Sequence, residues 1–83
     1  DELVKIYPNP AKESINIQLN LKEKSNIDFN LKDVSGKIIS TTNFSKNSGI
    51  FESTISIQHL NSGIYYAEFL INNKFKAIKF VKE

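Results

Sequence analysis

In 83 residues the sequence has no cysteine, methionine, tryptophan or arginine, one histidine, two prolines and three glycines. Without cysteine no disulfide can staple the fold, and no thiolate can bind metal or carry redox chemistry. His59 alone cannot build a histidine metal cluster, and a base–nucleophile pair has no second candidate. It stands beside a turn and reads as a surface residue. Eleven lysines against nine acids leave a net charge of +2. That is too mild for nucleic acid, which calls for a strongly basic face and usually arginine. No apolar run approaches the ~18 residues of a membrane span, so membrane insertion is not expected.

What is present is a small all-β domain. Residues 1–83 fit one unit. About 60% of the unfolded surface is buried at this size, so core packing has to carry the stability. No secretory leader opens the sequence, and strand pattern begins almost at once, as in a domain cut from a larger protein.

Period-two alternation recurs along the whole length and helical periodicity is nearly absent. Val4 and Ile6 lead into Tyr7 and a first strand. It ends at Pro8-Asn9-Pro10, where two residues lack an N–H and hold φ at about −65°. The segment reads as a stiff elbow, with the Asn9 amide free to bond nearby backbone. Ile15, Ile17, Leu19 and Leu21 then alternate with Asn16, Gln18 and Asn20, which describes a strand wet on one face. Ile27, Phe29 and Leu31 repeat the pattern. Asp33-Val34-Ser35-Gly36-Lys37 fits a type I turn closed through a left-handed glycine.

Residues 38–43 read as a returning edge strand, and 44–49 as a loop. Phe51, Ser53, Ile55 and Ile57 suggest a fifth strand, followed by a tight turn at Leu60-Asn61-Ser62-Gly63. Residues 64–71 are apolar on both faces except Glu68, as in a strand interior to its sheet. Asn72-Asn73 suits a type I′ hairpin. In the last strand, 74–82, the apolar parity changes between Phe75 and Ile78, which predicts a β-bulge near Ala77. Lys74, Lys76, Lys79 and Lys82 would then form a stripe toward solvent. Seven short strands with these turns predict an immunoglobulin-like antiparallel β-sandwich.

No catalytic constellation stands out. Asp28 and Asp33 could act as paired carboxylates, but the turn already accounts for Asp33 and calcium-loop spacing is missing. Gly36, Gly49 and Gly63 are isolated and cradle no phosphate. Asn43-Phe44-Ser45 matches the glycosylation triplet. Tyr7, Tyr65 and Phe75 are candidates for a sugar-binding platform, which would make the chain a non-catalytic carbohydrate-binding or adhesive accessory module. The lysine stripe either blunts an edge strand or serves recognition by another protein, through charge or strand addition.

Taken in order, Tyr7-Pro8-Asn9-Pro10, Ser14-Ile15-Asn16-Ile17, Asp33-Val34-Ser35-Gly36-Lys37, Leu60-Asn61-Ser62-Gly63-Ile64-Tyr65 and the lysine-rich last strand resemble one family. It is the type A C-terminal sorting domain of the type IX secretion system of Bacteroidota. The resemblance covers essentially the whole chain. It implies a non-enzymatic address that closes a longer secreted protein, needs no cofactor and works as a monomer. The implied partners are an N-terminal passenger, the outer-membrane translocon and its shuttle proteins, and a sortase-like peptidase. Cleavage would fall at or before Asp1. The passenger would cross the periplasm and end secreted or on the cell surface. Carried over by motif, the sorting residues are Pro8, Asn9, Pro10, Asp33, Gly36, Lys37, Gly63, Tyr65, Lys79 and Lys82.

Overall fold

The computed structural model describes residues 3–83, and the regular structure in it is strand. In order these are β1 (Leu3–Tyr7), β2 (Ser14–Leu21), β3 (Ser25–Asp33), β4 (Ile38–Lys46), β5 (Gly49–Ser56), β6 (Gly63–Ile71) and β7 (Lys74–Lys82). Alternation in the sequence becomes alternation in space, because successive side chains of a strand point to opposite faces. Ile15, Ile17, Leu19 and Leu21 of β2 are buried, as are Ile27, Phe29 and Leu31 of β3 and Tyr65, Ala67, Phe69 and Ile71 of β6.

These faces pack into one core between two antiparallel sheets, ordered β1-β2-β5 and β4-β3-β6-β7. In the constant-type immunoglobulin sandwich the fourth strand flanks the fifth. Here β4 pairs instead with β3, from Ser25↔Lys46 to Lys32↔Ile38, and the second sheet gains a strand. Phe29 and Phe69 meet across β3 and β6 with ring centroids 5.1 Å apart.

The sandwich's flanks close in different ways. Beside β4 and β5, only Asn47 and Ser48 separate the strands, and the Phe44 and Phe51 rings pack at 4.9 Å. Lys46 Nζ lies 5.1 Å from the Phe51 centroid. Beside β1 and β7, the chain leaves β1 through Pro8-Asn9-Pro10, with cis bonds before both prolines. It then buries Ala11 completely and bridges Lys82 in parallel.

The structure departs from the sequence expectation in three places. Phe44 to Lys46 extend β4 rather than forming a loop, because Phe44 has Phe51 to pack on and Ser45 pairs with Asn26. The β6–β7 register runs unbroken from Gly63↔Lys82 to Ile71↔Lys74, so there is no bulge at Ala77. The irregularity lies instead between Leu31 and Lys32 on β3. The lysines also do not share a face. Lys74, Lys76 and Lys82 take the core-side parity of Ile78 and Phe80, and Lys79 takes the outer one with Phe75 and Ala77. At a sheet's edge a lysine stem can lie beside apolar neighbours while its ammonium reaches water, so inward parity need not be apolar.

Candidate recognition surface

Pro8-Asn9-Pro10 does more than turn the chain. The Asn9 side chain accepts a hydrogen bond from the Val81 N–H at 3.0 Å and donates one to the Lys79 carbonyl at 3.4 Å. Ala11 then donates its N–H to the Val81 carbonyl at 2.8 Å, and its carbonyl accepts from the Glu83 N–H at 2.8 Å. An asparagine amide carries the same donor and acceptor as a peptide unit. Flanked by prolines that have no N–H to offer, it stands in for strand backbone along the lower edge of β7.

The β3–β4 turn is organised by one carboxylate. Asp33 Oδ1 accepts from the Ser35 hydroxyl at 2.7 Å, the Ser35 N–H at 2.9 Å and the Lys37 N–H at 3.0 Å. The Gly36 N–H closes on the Asp33 carbonyl at 3.0 Å, with Gly36 at φ +91° as the turn requires. The Ser35 hydroxyl foremost, with the Lys37 amide, holds the Asp33 carboxyl below its ordinary value of 3.8, because these bonds favour the charged form.

Tyr65, at the start of β6, donates its hydroxyl to the Asn61 carbonyl at 2.6 Å and stacks on Phe80 at 5.9 Å. This is the tyrosine corner of such sandwiches, which ties the turn before a strand to the core. The turn residue Gly63 has φ +153°.

Strand register brings these features to one end of the molecule. Asp33 is opposite Tyr65 and Tyr65 opposite Phe80, while Gly63 faces Lys82. The Asp33–Lys37 turn, the Gly63–Tyr65 corner, Lys79 and Lys82 therefore gather there, with Pro8 to Pro10 held against β7. Pro8, Asn9, Pro10, Gly36, Lys37, Gly63 and Lys79 are exposed, Lys82 is half-buried and Tyr65 is buried. The opposite end holds Leu3, paired with Asn20, and the β6–β7 hairpin.

The other sequence candidates do not converge. Tyr65 belongs to the core, Tyr7 lies exposed at the end of β1, and Phe75 is open on the outer face of β7, so the three make no aromatic platform. Asp28 accepts a hydrogen bond from Asn43 on the outer face of β3, while Asp33 is engaged in its turn. His59 is exposed between β5 and β6. Among the described residues no group of three or more His, Cys, Asp or Glu is placed to hold a metal ion.

Sequence reasoning missed two features. Asn72 takes positive φ with Asn73, as a type I′ hairpin asks, but it also ties two turns together. Its Oδ1 accepts from the Asn26 N–H at 3.1 Å and its Nδ2 donates to Ser25 Oγ at 3.2 Å. Glu68 pairs with Lys32 at 2.9 Å, and the signal available for it was a lone acid in an otherwise apolar strand.

A family model described as "Secretion system C-terminal sorting domain" matches residues 5–83. No curated protein matches the chain in sequence. Among solved structures, 98% of the chain aligns with 9% of dimeric latent PorU from Porphyromonas gingivalis, with TM-score 0.73 and 16% identity. At that identity the likeness is one of fold.

Proposed function

We propose how this chain, which belongs to the family of secretion system C-terminal sorting domains and is therefore a type IX sorting signal, is recognised: as a folded surface at one end of the sandwich. The surface comprises the Pro8–Pro10 clamp, the Asp33–Lys37 turn, the Gly63–Tyr65 corner, Lys79 and Lys82. In this reading residues 1–83 are one monomeric, non-catalytic module whose passenger precedes it in a longer protein. Translocon and shuttle proteins read it in the periplasm, and a sortase-like peptidase removes it. The cut, expected at or before Asp1, lies outside the described residues. The passenger is then secreted or held at the cell surface.

The observation carrying this reading is the bond pair from Asn9 to Lys79 and Val81. It makes the opening motif and the basic C-terminal segment one object. Asp33, Gly36, Gly63 and Tyr65 shape that object, while Lys37, Lys79 and Lys82 offer it charge. The test is a signal-peptide-bearing fluorescent reporter fused upstream of the domain in a type IX-competent host, with Lys37→Gln, Lys79→Gln and Lys82→Gln made singly. Export should fall while the melting temperature holds. Full export of all three variants would reduce the lysines to surface solvation and overturn this assignment.

A further inference from the structure

The β7 edge is only half covered. Along a strand, outward-pointing backbone groups recur every second residue. The Val81 N–H and carbonyl and the Lys79 carbonyl point outward, to Asn9 and Ala11. The same parity turns the N–H and C=O of Phe75 and Ala77, and the Lys79 N–H, away from β6. Among the described residues these groups have no hydrogen-bond partner. Beside them runs an open groove of about 630 Å³, lined by Val4, Lys5, Ile6, Tyr7, Gln18 and Ile78. Val4, Ile6 and Ile78 are half-buried there. On the opposite flank the Phe44 and Phe51 rings pack against each other.

We propose that this open half of the β7 edge takes an extended segment of a protein partner in which apolar and acidic residues alternate. The inference rests on reading the domain as one that other proteins recognise. The Asn9 side chain and the Ala11 backbone already occupy the lower part of the edge, so an added segment continues an existing pairing upward. Its inward side chains would cover Val4, Ile6 and Ile78, and must therefore be apolar. Its other side chains would meet lysine. Lys79 faces outward on β7, and Lys5 has the parity opposite to Val4 and Ile6 on β1. Among the described residues neither has an acidic partner, the ion pairs there being Lys12–Glu83 and Lys32–Glu68. Lys76, with inward parity beside Phe69, deters indiscriminate pairing, while its stem can lie along apolar side chains with its ammonium in water. A strand that brings outward carboxylates to Lys5 and Lys79 turns charge into selectivity. Strand addition of this kind draws affinity from the main chain and specificity from alternate side chains.

The test adds to the 83-residue domain a short peptide alternating isoleucine with aspartate, and in parallel the same residues in block order. Binding and amide exchange are followed by NMR. The alternating peptide should protect the Phe75, Ala77 and Lys79 amides, and the block peptide should not. Ala77→Pro removes an outward N–H that β6 does not use, so a folded variant should lose binding. Should it fail to fold, Lys5→Glu with Lys79→Glu should weaken binding by about tenfold or more. Equal binding of both peptides, or binding unchanged in these variants, overturns the proposal. So does protection of these amides that grows with protein concentration and needs no peptide, since the occupant is then a second copy. Absent peptide binding beside normal reporter export sinks this inference alone, whereas a wild-type fusion that is not exported sinks the sorting reading whatever the peptide does.

Discussion

Asn9 and Val81, 72 positions apart in sequence, are joined by a 3.0 Å hydrogen bond from the Val81 N–H to the Asn9 side-chain oxygen. With the donor bond to the Lys79 carbonyl, one side chain satisfies two backbone groups on a strand that is otherwise a sheet edge. Asn9→Ala removes both bonds. A net hydrogen bond contributes about 1 kcal/mol, so the variant should lose about 1–2 kcal/mol. For a domain of this size each kcal/mol lowers the melting temperature by roughly 4–8 °C. An unchanged melting temperature would mean the clamp adds nothing to stability.

Tyr65 tests the corner. Tyr65→Phe keeps the ring on Phe80 but deletes the 2.6 Å bond to the Asn61 carbonyl, and should cost about 1 kcal/mol. Tyr65→Ala also opens a cavity and should cost about 3–5 kcal/mol. Denaturant titrations of both variants separate the hydroxyl from the ring. Equal losses would show that the hydroxyl bond carries the whole effect.

Asp33 gives a pH signature. Its carboxyl is held below 3.8 in the folded state by the Ser35 hydroxyl and the Lys37 amide. The stabilisation is therefore present above the unfolded value and is lost as pH falls through the lower folded one. Asp33→Asn keeps an oxygen to accept these bonds but cannot titrate. Its melting temperature should be lower near neutrality and fall less steeply below about pH 4. Parallel acid profiles for the two proteins would contradict this account of the turn.

Gly63 isolates backbone strain. A Cβ placed there meets nothing within 4 Å, so crowding is not the issue, but φ is +153°. Gly63→Val should destabilise by about 1–3 kcal/mol through strain alone. A melting curve that matches the parent would show that the turn relaxes to accept a branched side chain.

Much of this was legible in the sequence because it is local. The alternation of Ile15 to Leu21 needs only the two-residue period of a strand. Asp33 to Lys37 and Asn72-Asn73 need only turn stereochemistry. What was illegible depends on distant partners. Nothing near Asn9 announces Val81, and nothing near Phe44 announces Phe51, so local pattern describes one as an elbow and the other as a loop. A bulge at Ala77 would follow only if every inward position were apolar. Lys74 and Lys76 break that rule because β7 is an edge with water beside it. The gathering of Asp33, Tyr65 and Lys79 near one end follows from pairing register, which local patterns do not specify.

The central claim is that these residues form an export address. The most direct measurement fuses them to the C-terminus of a signal-peptide-bearing fluorescent reporter in a Bacteroidota host with and without a working type IX translocon. The account expects reporter outside the cell only in the competent host. A folded domain whose reporter stays in the periplasm of both hosts would contradict it.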